Sequence, residues 1–176
     1  ILLAHPNMKE SQANKALVDA VSDMEGVAVF NLYELSQEIA FNVDEWSKII
    51  SDASAVIYQF PFYWMSAPSL LKKWQDEVFT FLSKTPAVAG KSLTVVTTTG
   101  SEYEAYRSGG RNRFTMDELL RPYQVSAIHS GMSWQTPIVV YGMGTADAGK
   151  NIAEGANLYK QRVEMLIGSS NAGNNW

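Results

Sequence analysis

The chain has 176 residues, 46% of them hydrophobic and 18% charged, with a formal net charge of −4. That is enough apolar material for one folded domain with a real core, and too apolar for a disordered chain. The acidic balance argues against a nucleic-acid partner, and the absence of cysteine excludes disulfides, thiolate metal sites and a cysteine nucleophile.

Residues 1–4 read as the end of a buried strand, stopped by His5-Pro6. After a polar loop over 7–10, Ser11 offers an N-cap for a helix. Ala13, Leu17, Val21 and Met24 share its inner face, and Gly26 ends it. Residues 27–30 read as a short second strand, and 31–43, which lack a clear period, as an irregular excursion. Asp44 then caps a short helix carrying Trp46, Ile49 and Ile50. Residues 55–60, Ala-Val-Ile-Tyr-Gln-Phe, have the composition of a strand buried on both faces, and Pro61 ends it because it cannot donate to a ladder. Phe62, Tyr63 and Trp64 fall in the loop beyond, and Ser66 and Pro68 open a helix with Leu70, Leu71, Trp74, Val78 and Phe79 at helical spacing.

A loop over 83–90 leads to a fourth strand at 93–96, which ends in hydroxyls and a glycine at Thr97-Thr98-Thr99-Gly100. Residues 101–113, with Gly109-Gly110 and three arginines, read as a long surface loop. Residues 114–131 are helical in composition despite Pro122, 137–141 supply a fifth strand, and 145–167 a closing helix. That helix carries Ile152, Ala156, Tyr159, Val163 and Leu166 on one face. Residues 168–176 read as a flexible tail, and no repeat or boundary divides 1–176. Strands alternating with helices predict an α/β, doubly wound parallel sheet. The small five-stranded form is flavodoxin-like, order 2-1-3-4-5, with its crevice between the ends of strands 1 and 3.

That crevice gathers three loops. The first, with His5 and then Ser11, Gln12, Ala13 and Asn14 at a helix start, offers amides, a hydroxyl and a helix dipole to an anion; it is equally an ordinary capped helix. The second, with Pro61, Phe62, Tyr63 and Trp64, suits a flat π-rich ligand or an aromatic cluster over the core. The third, Thr97 to Gly100, offers backbone donors to a ring edge. Together they describe a site for a phosphate-bearing heterocycle such as a flavin.

These motifs resemble the flavodoxin-like NAD(P)H:quinone oxidoreductases. The likeness rests on His5-Pro6, Ser11-x-Ala13-Asn14-Lys15, Pro61-x-x-Trp64 with Pro68, Leu71-Lys72-x-Trp74-x-Asp76 and Thr97-Thr98-x-Gly100. Ser101-Glu102, Asn112-Arg113 and Leu120-Arg121-Pro122 look most like the ancillary proteins of bacterial glutathione-gated potassium-efflux systems. The resemblance implies a flavin phosphate on His5 and Ser11 to Asn14, and a ring against Pro61 to Trp64 and Thr97 to Gly100. It implies a homodimer in which NAD(P)H reduces the flavin by hydride transfer and a quinone then takes the electrons from the same place. FMN is expected rather than FAD, since no C-terminal extension could shelter an adenosine. The alternative it implies is a regulatory subunit on the cytoplasmic face of a potassium-efflux antiporter, with little catalysis. The expected location is the cytoplasm, peripheral to the inner membrane in that second role.

Two departures from the family pattern stand out. Thr99 occupies a common glycine position, where a Cβ could crowd the ring or demand a different backbone angle. The family's Tyr and His after that loop have as counterparts Tyr106 and, with no histidine near, Arg111 or Arg113. Such a cation could stabilise a reduced flavin or recognise a nicotinamide dinucleotide's phosphate. Elsewhere, 144–151 nearly matches a nucleoside-triphosphate loop, but Asn151 stands where a magnesium-binding hydroxyl belongs. His129 beside Ile128 reads as structural, Asp76 and Glu77 point apart on a helix, and no carboxylate cluster suggests a metal.

Overall fold

The computed structural model describes residues 1–35 and 40–172. Its sheet runs in the order β2 (Phe30–Asn31), β1 (Leu2–Leu3), β3 (Ala55–Pro61), β4 (Ser92–Thr98), β5 (Ser133–Trp134), all parallel. A further short strand, β6 (Ile138–Val140), pairs with the second half of β4. β5 and β6 thus share one edge position, interrupted at Pro137. The expected fifth strand therefore begins earlier, at Ser133, and is broken where proline removes a ladder donor. The longest pairing joins β3 to β4, from Ala55 opposite Ser92 to Pro61 opposite Thr98. Pro61 is the strand's last residue, as expected.

Helices cover both faces. On one lie α3 (Val43–Asp52), the helical stretch after β3, and α7 (Arg121–His129), packing Trp46, Ile50, Leu71, Trp74, Val78 and Tyr123 against Tyr58, Phe60, Leu93 and Val95. On the other lie α1 (Ala13–Asp19) and α8 (Ala148–Ala172), whose Leu17, Tyr159 and Val163 meet Ile57, Val96, Ile138 and Val140. Alternate residues of β3 and β4 go to opposite cores, which explains the nearly unbroken apolar runs.

Several expected boundaries move for local reasons. Regular helix α1 stops at Asp19, and turns carry the chain to Gly26, whose φ of +83° suits glycine. The expected excursion over 31–43 contains one turn of helix, α2 (Leu32–Leu35), and its residues 36–39 lie outside the described residues. Asn42 rather than Asp44 caps α3, its Oδ1 accepting from the amides of Asp44 and Glu45. Ser66 is not a cap: helix α4 (Ser69–Trp74) starts after Pro68 and continues as a π-helical turn at Gln75–Phe79 and α5 (Thr80–Leu82). The helical stretch at 114–131 splits at Leu120 into α6 (Met116–Leu119), closed by a Thr115–Glu118 capping box, and α7, with Pro122 in its first turn. The 101–113 loop contains a tight helical turn, Tyr103–Tyr106, which buries Ala105 and Tyr106. α8 begins at Ala148 and runs on to Ala172, through the first residues of the expected flexible tail; 173–176 lie outside the described residues.

Candidate functional site

The parallel sheet brings the residues after β1, β3 and β4 to one edge. In the first of these loops His5 is buried, and its Nδ1 accepts from the Asn7 amide at 3.0 Å. Burial holds its pKa below the ordinary 6.5. The neutral ring therefore carries its proton on Nε2, a free donor. Ser11 Oγ accepts from the Asn14 amide at 3.1 Å, as a cap would, although regular α1 begins at Ala13 with Gln12 in its N-cap position and no side-chain cap bond there. The amides of Gln12 and Ala13 lie in the first turn, where no intrahelical acceptor exists.

Beneath this loop runs a polar relay. Gln59 Nε2 donates to the Asn14 carbonyl at 2.8 Å, and Asn14 Nδ2 donates to Thr98 Oγ1 at 3.1 Å. It locks α1 to β3 and β4. The acceptor oxygens Asn14 Oδ1 and Gln59 Oε1 are buried without partners. A buried acceptor left unpaired costs about 1–3 kcal/mol, so these two call for an outside donor, from water or a ligand.

The second loop is a tight hairpin. Tyr63 and Ser66 exchange backbone hydrogen bonds at 2.9 and 3.0 Å, and both central residues have left-handed φ, 46° at Trp64 and 62° at Met65. Such turns favour Asn and Gly. Here they carry a tryptophan that is 96% exposed. Tyr63 is half exposed and meets His5 edge-on, with centroids 6.3 Å apart, which joins the first two loops. Phe62 does not line the opening. It is buried, its amide bonds the Thr98 carbonyl at 2.9 Å, and its ring meets Tyr106 edge-on.

In the third loop Thr97 Oγ1 donates to the Phe60 carbonyl at 2.7 Å. At Thr99, where a Cβ was expected to crowd a ring or demand a different backbone angle, the side chain turns inward, with Oγ1 donating to the Ser101 carbonyl at 2.7 Å, and the residue is 1% exposed. The loop is braced from behind, where the amides of Gly142, Met143 and Gly144 donate to the carbonyls of Ser101, Thr99 and Gly100. A Cβ on Gly144 would lie 3.1 Å from the Gly100 oxygen. The glycine of the apparent nucleotide loop thus serves close packing, and Asn151 Nδ2 bonds the Tyr141 carbonyl. The amides of Gly100 and Ser101 remain free for a ligand, among the described residues.

Tyr106 is buried between Phe62 and Tyr141, and Tyr103, which the sequence did not single out, is the half-exposed tyrosine beside them. Burial, with Tyr103, Asp117 and Tyr106 nearby, pushes Tyr141 up to about 12. Arg111 Nη2 donates to Ser101 Oγ, reaching the third loop, whereas Arg113 is exposed with φ of 63°. Gln59 and Ser101 were also missed. A glutamine inside an apolar strand was the available signal for the first; nothing marked the second. His129 is exposed at the end of α7 rather than packed inside, and Asp76 and Glu77 pair with Lys72 and Lys73. A hollow of about 410 Å³, lined by apolar groups such as Ile49, Val56 and Val163, lies at the amino ends of the strands, away from these loops.

Comparison with known proteins agrees with this geometry. Residues 1–163 match the family described as flavodoxin-like fold. General stress protein 14 of Bacillus subtilis is 36% identical over 169 residues, 94% of this chain and 96% of the relative. A relative from the same organism named as the uncharacterized NAD(P)H oxidoreductase YdeQ is 35% identical over 170 residues, 94% of this chain and 86% of its own. The glutathione-regulated potassium-efflux system ancillary protein KefG of Pectobacterium atrosepticum is 34% identical over 145 residues, covering 80% of this chain and 79% of KefG. Among solved structures, general stress protein 14 of Treponema denticola in complex with FMN superimposes with a TM-score of 0.84 at 29% identity, covering 94% of this chain and 97% of that one. An NADPH-quinone reductase from P. pentosaceus gives 0.77 at 27%, covering 92% and 94%. With its sheet order, its three loops and these relatives, the chain belongs to the flavodoxin-like fold family that includes NAD(P)H oxidoreductases and potassium-efflux ancillary proteins.

Proposed function

We propose that this protein is an FMN-dependent NAD(P)H oxidoreductase that reduces quinones or similar aromatic acceptors in two steps, as a cytoplasmic homodimer. One observation carries the reading: anion donors, an exposed strained aromatic hairpin and free backbone amides converge on one sheet edge. The residues fit FMN. His5 Nε2–H, the Ser11 hydroxyl and the amides of Gln12 and Ala13 suit its phosphate, with Asn14 fixed behind them. Tyr63 and Trp64 offer faces to its ring, above the buried Pro61 and Phe62. The amides of Gly100 and Ser101 suit the ring's heteroatom edge, held by the inward bonds of Thr97, Thr98 and Thr99. When bound, the flavin supplies two-electron chemistry between NAD(P)H and the acceptor. The protein's own part is to orient the ring, exclude water with the aromatic hairpin, and place the positive charge of Arg111 and Arg113 and the Tyr106 ring beside the third loop. The complex of the Treponema relative with FMN supports FMN over FAD.

A second reading is favoured by the KefG relatives: a subunit at the cytoplasmic face of a potassium-efflux antiporter on the inner membrane, with little turnover. Among the described residues no helix is long and apolar enough to cross a membrane, so such a protein would attach through a partner. Anaerobic visible spectra of the FMN-loaded protein decide between them. Bleaching of the flavin band by NADPH and its return with a quinone are expected. Bound flavin that stays unbleached would favour the regulatory role, and failure to bind flavin would refute both the cofactor and the enzyme.

A further inference from the structure

The loop after β4, residues 101–113, sets three arginines against two glutamates, Glu102 and Glu104, in a chain whose net charge is −4. Arg107, Arg111 and Arg113 lie within seven residues, and among the described residues none is ion-paired with a carboxylate. These are instead held in place by other means. Arg107 lies over the Tyr103 ring, 5.6 Å from its centroid, and Arg111 is latched to Ser101 Oγ. The backbone between them is built to one shape. The Gly110 amide bonds the Arg107 carbonyl at 2.9 Å, the Asn112 amide the Ala105 carbonyl at 2.9 Å, and the Arg113 amide the Gly110 carbonyl at 3.0 Å. Gly110 is pressed on the turn below, where a Cβ would meet the Glu104 oxygen at 2.1 Å and the Ala105 oxygen at 2.8 Å. The result is a cleft of about 350 Å³ lined by Ser108, Gly109, Gly110, Arg111 and Arg113.

The loop amides just named are occupied within it, so an anion there meets guanidinium groups and the Ser108 hydroxyl. Two guanidinium forks match a phosphate monoester better than a carboxylate or a neutral ring. None of the first loop's phosphate donors lines the cleft; it opens off the third loop and reaches it through Ser101. Arg111 bonds the hydroxyl of Ser101, whose amide is one of the donors proposed for the ring edge, so the cleft adjoins the place where a nicotinamide dinucleotide would approach that ring.

We propose that Arg111 and Arg113 bind the 2′-phosphate of NADPH and so set a preference for NADPH over NADH. This rests on the reading that a nicotinamide dinucleotide is the electron donor. Arg107, stacked on Tyr103, supports the same field from outside the cleft.

The test is calorimetry with two probes, adenosine 2′,5′-bisphosphate and 5′-AMP, which differ only by the 2′-phosphate, on flavin-free and FMN-loaded protein. Wild type should bind the bisphosphate on the order of tenfold more tightly, as charge-assisted hydrogen bonds to one phosphate imply. Arg111→Ala/Arg113→Ala should erase that difference, Arg111→Lys/Arg113→Lys should retain part of it, and circular dichroism should show all three folded alike. In turnover, the ratio of kcat/KM for NADPH to that for NADH should fall by the same factor in the alanine variant. Equal binding of the two probes to wild type, or an unchanged ratio in the alanine variant, overturns the inference. Loss of affinity for both probes alike would move the site to the phosphate they share and overturn it too. Because the probes need no flavin, failure to load FMN would sink the proposed function while calorimetry still decided this one.

Discussion

The hairpin at Trp64 and Met65 stores strain where the structure has least packing reason for it, and that makes a measurable trade-off. A residue with a Cβ in the left-handed region costs roughly 1–2 kcal/mol relative to one at home there, and asparagine is among the few that tolerate it. Trp64 has φ of 46° and is 96% exposed, so its replacement forfeits almost no burial. Trp64→Asn should therefore stabilise the flavin-free protein by about 1 kcal/mol, which in a chain of this size raises Tm by about 2–4 °C. Trp64→Phe, which keeps the strain, should not. The same asparagine variant should bind FMN about tenfold more weakly, since an aromatic stacking face is worth roughly 1–3 kcal/mol. Urea unfolding without flavin reads the first effect as a higher midpoint at unchanged slope; it must be flavin-free because a ligand bound to the native state adds its own stabilisation. Fluorescence titration with FMN reads the second. If Trp64→Asn is no more stable than Trp64→Phe, the strain argument is wrong; if its FMN affinity is unchanged, the hairpin is not part of the flavin site.

Ser11→Ala removes the cap on the Asn14 amide and should lower stability by about 1 kcal/mol in thermal melts while also weakening FMN binding; a loss of stability alone would leave the first loop a merely structural one. Gly155→Ala would gain about 1 kcal/mol of helix propensity but put a Cβ 2.4 Å from Val140 Cγ2, inside a core where Val140 is buried. Overpacking there costs about 1–3 kcal/mol, so a net loss of about 1 kcal/mol and a fall in Tm of about 2–4 °C is expected, and a rise would contradict the packing of α8 on β6. Stability should also bend at both ends of the pH scale. The folded pKa of His5 lies below 6.5, so the unfolded chain binds the extra proton first and stability falls as pH drops through 6.5; His5→Gln should flatten that limb in pH-dependent unfolding. Tyr141 is raised to about 12, so its contribution is complete below 10 and is lost between 10 and about 12. Tyr141→Phe should soften the alkaline limb without abolishing it, because burial raises Tyr58 and Tyr159 as well.

The fold was legible because its signals are local and repeated. Apolar runs at 55–60 and 93–96 can only be strands covered on both sides, and Leu17, Val21, Tyr159 and Val163 recur at helical spacing and are all buried. The strand-end loops followed from that. What escaped depends on geometry that no spacing encodes. Whether Phe62 faces out with Trp64 or in with Tyr106 turns on two consecutive left-handed residues that sequence preference would have assigned to Asn-Gly. Ser66 looked like a cap because the hairpin that uses it, paired Tyr63 to Ser66, has no turn residue to announce it. Thr99 looked obstructive because a side chain's direction at a strand end depends on its bonding partners, here the Ser101 and Val140 carbonyls.

These contacts make the three loops one body rather than three. Gln59 and Asn14 tie the first loop to β3 and β4, and the Phe62 amide ties the second to Thr98. Residues 142–144 brace the third, and His5 meets Tyr63 across the opening. Thr98 stands at the junction: its hydroxyl accepts from Asn14 while its carbonyl accepts from Phe62, so anion donors and aromatic hairpin are both referred to one residue of β4. In the proposed FMN site such a frame would fix the distance between phosphate and ring before the ligand arrives, and it lets the hairpin keep its strain because the strands on which it stands cannot relax. Among the described residues, the free amides of Gln12, Ala13 and Gly100 and the exposed ring of Trp64 lie at this opening, whereas Asn14 Oδ1 and Gln59 Oε1, buried beneath it, are two of six unpaired side-chain atoms, the others being on Tyr58, Trp74, Thr94 and Tyr159 in the interior.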